Sequence, residues 1–93
     1  MKDSDSIDRV IQVRDINIGE NIRRLRKERG IYQSKLVIAL QLAGIDISVF
    51  SYNRIEKGTQ NPTVSLLLAL CSLFDCDMND IFAFSKADNK KSF

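Results

Sequence analysis

Apolar side chains recur through the middle of the chain with a helical period and stop at short polar breaks. Ile18, Ile22 and Leu25 fall at i, i+4 and i+7, the spacing that lines one face of an α-helix. Asn17 ahead of them is a favoured N-cap, and Glu20 follows three positions on, as a capping box prefers. Gly30 supplies the stop. A second helix is expected from Gln33 to Ala43, with Leu36, Ala39, Leu40 and Ala43 inward and Gly44 ending it. After a short turn, Ser48 caps a third helix that runs to Lys57, turns Tyr52 and Ile55 inward and stops at Gly58. Ile47, just before that cap, is expected to plug the core. Thr63 caps a fourth helix, whose Leu66, Leu67, Leu70, Cys71 and Phe74 form the strongest stripe in the chain. Asp77 caps a short fifth, with Asp80 at the third position and Met78, Ile81 and Phe82 closing the core.

Five helices with short connections and no strand signal of strength define an all-α fold, a compact five-helix bundle. Residues 17–84 are expected to form the folded domain. Residues 1–16 read as a flexible N-terminal arm, in which Ile7, Val10, Ile11 and Val13 fit neither the helical nor the strand period cleanly. An extended arm, a strand and an early helical turn all stay open there. Residues 85–93 are polar and basic and read as a fraying tail.

Composition narrows the function. The 93 residues suit one domain with a modest core, and 44% hydrophobic content argues against wholesale disorder. A net charge of +2 says little, but its distribution says more. Between residues 19 and 62, Arg23, Arg24, Arg26, Lys27, Arg29, Lys35, Arg54 and Lys57 face only Glu20, Glu28, Asp46 and Glu56. Positive charge therefore gathers on the folded centre, where a polyanion would feel it. There is no histidine, which removes the commonest general base and metal ligand. Cys71 and Cys76 lie five apart among apolar residues, without the four ligands of a zinc site, and read as small core residues. Asp75, Asp77 and Asp80 look like turn and cap residues. An enzyme, a metal site and a cofactor are not expected. Met1–Asp8 is polar and acidic rather than a signal peptide, and no apolar run nears the roughly 20 residues of a membrane span. A cytoplasmic location is expected.

Two helices joined by a tight glycine-containing turn, the second short and capped by Ser48, make a candidate helix-turn-helix. A helix fits the major groove of B-DNA with its N-terminal turn toward base edges, while helix N-termini and Arg or Lys hold flanking phosphates.

The detailed sequence sharpens this. Leu25, Arg26, Gly30 and Gln33 form an LR-x-x-x-G-x-x-Q run; Ser48, Arg54, Ile55, Glu56 and Gly58 form an S-x-x-x-x-x-R-I-E-x-G run; Asn61-Pro62 precedes the fourth helix. Over residues 17–83 the chain thus resembles the lambda-repressor-like (Cro/XRE) helix-turn-helix family. The resemblance implies a five-helix lambda-repressor-like bundle with the third helix as recognition helix, and a transcriptional regulator, commonly a repressor, that binds double-stranded DNA as a homodimer. It implies no small-molecule substrate. Gln33 matches a glutamine that contacts phosphate and helps position the recognition helix. Val49, Phe50, Asn53 and Arg54 match positions facing bases or flanking backbone, and Asn61 matches the loop that approaches phosphate. Lys35 is a backbone-contact candidate, and Ser48, Ser51 and Lys57 complete the DNA-facing set. Arg26 and Glu56 match a structural ion pair linking the first and third helices. Arg23, Arg24 and Lys27 read as surface charge.

Three departures stand out. Val49 and Phe50 occupy positions that are usually polar; they donate no hydrogen bond to a base edge, but could meet a thymine methyl, the protein itself or a partner. The stretch QLAGID lengthens the second helix and its turn, and Val37 replaces a typically small residue. Ile38 and Leu42 on the outer side either complete a larger core or mark a partner surface. Asp75 stands where glycine is usual.

Overall fold

The protein is described from a computed structural model covering residues 17–83; the expected arm and tail lie outside these residues. The helices are α1 (Ile18–Glu28), α2 (Gln33–Leu42), α3 (Val49–Lys57), α4 (Val64–Phe74) and α5 (Met78–Ile81). The architecture is all-α.

Caps set most of these boundaries. The side chains of Asn17, Ser48, Thr63 and Asp77 each accept a hydrogen bond from the backbone N–H three residues on, which satisfies a donor left over at the helix start. The Glu20 carboxylate accepts from the Asn17 side-chain amide at 3.3 Å. At α5 the capping box is reciprocal, Asp77 accepting from Asp80 N–H at 3.2 Å and Asp80 from Asp77 N–H at 3.1 Å. Gly58 ends α3 at φ 83°, a left-handed conformation that lets Thr59 N–H reach the Arg54 carbonyl at 2.9 Å. Asp75 does the same for α4 at φ 54°, so Cys76 N–H reaches the Cys71 carbonyl at 3.0 Å.

One core joins all five helices: Ile18, Ile22 and Leu25 of α1, Leu36, Val37 and Leu40 of α2, Tyr52 and Ile55 of α3, Leu66, Leu67, Leu70 and Phe74 of α4, and Ile81 of α5. Ile47, Met78, Cys71 and Phe82 pack half-buried against it.

The structure corrects the expected inner face of α2. The helix ends at Leu42, and Ala43 is its exposed C-cap rather than a core residue. Leu36, Val37 and Leu40 define the buried side, so Ile38 and Leu42 lie on the opposite flank, 53% and 85% exposed. They do not enlarge the core. Arg29 turns toward the protein. Its Nε donates to the Phe74 carbonyl at 2.7 Å and its Nη1 to the Leu25 carbonyl at 3.0 Å, with the guanidinium 5.4 Å from the Phe74 ring centre. It caps the C-terminus of α4 from α1, where a cation meets the negative end of the helix dipole. Asn21 is a second cross-link: its buried amide donates to the carbonyls of Ile81 at 2.7 Å and Ala83 at 2.9 Å.

Candidate nucleic-acid interface

The α2–turn–α3 unit is held from three directions. Ile45 and Ile47 anchor the turn as half-buried residues on the core, with Asp46 exposed between them. Ile45 N–H reaches the Leu40 carbonyl at 2.9 Å across Gly44, whose φ is 95°. Gln41 Nε2 donates to the Ile47 carbonyl at 2.8 Å. The insertion that lengthens this connector thus supplies its own fastening, because Gln41 belongs to it.

From behind, α3 is fixed by a buried polar network. Arg26 Nε donates to Glu56 Oε2 at 2.7 Å and Nη2 to Oε1 at 3.1 Å, a bidentate pair with both side chains almost fully enclosed. Arg26 Nη1 also donates to the Ile31 carbonyl at 2.7 Å. Gln33 Nε2, at the start of α2, donates to Glu56 Oε1 at 2.9 Å and to Asn53 Oδ1 at 3.3 Å. Burial works to raise the Glu56 carboxyl, yet Arg26, the Tyr52 hydroxyl and Gln33 together outweigh it and hold it below the usual range. The hydrogen bond it donates to Glu56 raises Arg26 in turn, against its burial. Burial, and after it the neighbouring Glu56 carboxylate, push the Tyr52 phenol far up, although its hydroxyl makes no hydrogen bond of good geometry. The network joins α1, α2 and α3 at one point.

A close backbone approach adds to this. A Cβ on Gly19 would lie 2.7 Å from the Glu56 carbonyl oxygen and nearer still to that of Ile55. Only glycine lets α1 sit so tightly on the last turn of α3.

The opposite side of α3 faces outward. Val49 and Phe50 in its first turn are 44% and 69% exposed. Arg54, one turn further, lies over the Phe50 ring with 5.1 Å to its centre and donates from Nη2 to Gln60 Oε1 at 2.6 Å. Ser48 Oγ accepts from Ser51 N–H at 3.1 Å. Ser51 and Asn53 are half-buried, while Lys57 is exposed at the C-terminal end. Ser48, Ser51 and Asn61 line one cleft of about 390 Å³ between the turn and the loop before α4.

Lys35 is exposed in the first turn of α2. That helix is the one whose N-cap, Tyr32, has no side-chain hydrogen bond to the helix start, so its leading N–H groups and the positive end of its dipole stay open to an anion.

Of the residues singled out from sequence, Gln33, Asn53, Glu56 and Arg26 come together in the buried network. Val49, Phe50 and Arg54 come together on the outer face. Lys35 and Lys57 stand apart on the surface. Gly19, Gln41 and Gln60 were not anticipated. A glycine inside an otherwise strong helix was a signal for close packing at Gly19; Gln41 and Gln60 act across turns and leave no periodic trace. Cys71 and Cys76 are unpaired thiols that burial pushes up, Cys76 to about 11, so both stay protonated at neutral pH. Among the described residues no group of His, Cys, Asp and Glu could hold a metal ion, and no helix is long and apolar enough to cross a membrane.

Two helices across a fastened turn, the second braced from behind and bare in front, define a helix-turn-helix DNA-binding domain. A family model, the Cro/C1-type HTH DNA-binding domain, matches residues 21–87, and the chain belongs to that family. Comparison with curated proteins finds no match, and comparison with solved structures finds none.

Proposed function

We propose that the protein is a sequence-specific, cytoplasmic transcription regulator, acting as a repressor, that lays α3 in the major groove and binds its operator as a homodimer. The observation that supports this most is the outward first turn of α3, bare of core contacts while the rest of the helix is clamped. A groove-reading helix needs that division between a rigid back and an open front. Lys35, the uncapped start of α2, Lys57 and the Asn61 loop serve as phosphate contacts on either side. Gln33 acts as a positioning residue, because its amide donors already go to Glu56 and Asn53. Two-fold symmetry would set two α3 helices about 34 Å apart, one DNA turn.

The test is duplex binding across a salt series. Affinity is expected to fall steeply between about 50 and 200 mM salt, and Lys35→Ala should weaken all sequences alike and lower the log–log salt slope by about 0.9. Failure to bind any duplex at low salt would end this reading.

A second reading, a protein-binding module on the same fold, is favoured by the exposure of Ile38 and Leu42 together with Val49 and Phe50. It expects Phe50→Ala to abolish partner capture while leaving any duplex affinity intact.

A further inference from the structure

We propose that α3 reads its operator chiefly through the 5-methyl groups of pyrimidines, so that the duplex it prefers carries thymine, or equally 5-methylcytosine, against Val49 and Phe50. This rests on the DNA-binding reading above and deepens it.

Three of the polar side chains placed to read base edges already have partners within the protein. Ser48 Oγ is committed to the α3 cap. Asn53 is half-buried and its Oδ1 accepts from Gln33 at 3.3 Å, which turns the oxygen needed for a bidentate asparagine–adenine pairing toward the protein. Arg54 gives one of its donors to Gln60 at 2.6 Å and lies across Phe50, a position that steadies the ring. What the first turn presents is apolar: Val49 and the Phe50 ring, 44% and 69% exposed. In the major groove, thymine alone among the four bases offers an apolar group, its 5-methyl. Methylation places the same group on cytosine, in a base pair whose hydrogen-bonding edge is entirely different. A surface that reads methyl groups therefore treats thymine and 5-methylcytosine alike, and uracil and cytosine as equally poor.

Burial of one methyl is worth roughly fourfold in affinity. Two contacted thymines replaced by uracil should thus weaken binding by about tenfold or more.

The experiment begins with selection of bound sequences from a random duplex pool. The selected duplex is then titrated in four forms, with thymine, uracil, cytosine or 5-methylcytosine at each contacted position. The expected order is thymine and 5-methylcytosine together, at least about tenfold tighter than uracil and cytosine. Phe50→Ala should flatten that difference while the salt slope, set by phosphate contacts, stays as in the wild type; the exposed ring makes this variant safe for folding. Equal affinity for thymine and uracil forms, with steep salt dependence retained, overturns methyl readout and leaves the DNA-binding reading standing. Cytosine that gains nothing from methylation overturns it as well. No binding to any duplex at low salt removes both.

Discussion

Replacing Gly19 by alanine sets two physical effects against each other with opposite signs. Inside an exposed helix, alanine is favoured over glycine by about 1 kcal/mol. At the second residue of α1 that gain meets a backbone. The new Cβ would sit 2.7 Å from the Glu56 carbonyl oxygen and 3.0 Å from its carbon, and closer yet to the Ile55 carbonyl oxygen. These atoms belong to the last turn of α3 and have no rotamer into which to retreat, so one helix must shift. Overpacking of this kind costs about 1–3 kcal/mol, and a clash with main chain belongs at the upper end. Subtracting the propensity gain leaves a net loss of about 2 kcal/mol. For a domain of this size that lowers Tm by about 8–16 °C. Circular dichroism melts and urea titrations of the two proteins measure it directly. A Tm for Gly19→Ala at or above wild type would refute the reasoning, since it would mean that α1 and α3 do not approach as closely as described.

Glu56→Ala leaves the Arg26 guanidinium enclosed and unpaired, and should cost about 3–5 kcal/mol by urea unfolding. The pH dependence of the wild type follows from the same pair. The folded-state pKa of Glu56 is lowered, so its contribution is present above the unfolded value of about 4.3 and is lost as pH falls through the folded one. Urea midpoints taken downward from pH 7 should fall in that acid range for wild type and more shallowly for Glu56→Gln. Tyr52→Phe is expected to be neutral or stabilising, because the enclosed hydroxyl makes no hydrogen bond of good geometry; a loss above about 1 kcal/mol would show that it helps hold Glu56.

Helix starts at Asn17, Ser48, Thr63 and Asp77 were legible because capping is local chemistry, and the core stripes were legible because helices repeat. The outer flank of α2 was not. Ile38 and Leu42 carry apolar side chains whose burial depends on what packs beside them, and the pattern alone leaned toward a core that the structure does not show. The capping role of Arg29 was hidden for a related reason: its partner, the Phe74 carbonyl, is 45 residues away. The Arg26–Glu56 pair was named through a family resemblance, since no spacing rule links positions 30 apart. The internal partners of Gln33 and Arg54 emerge only in three dimensions.

The split within α3 bears on how such a protein diverges. Tyr52, Ile55 and Glu56 tie the helix to its scaffold, whereas Val49 and Phe50 owe the scaffold little. Under the proposed reading, a change at either of the latter two would alter what the helix prefers without unsettling the bundle. New operator preferences would then be reachable one substitution at a time through stable intermediates, while the bracing residues stay constant beneath them.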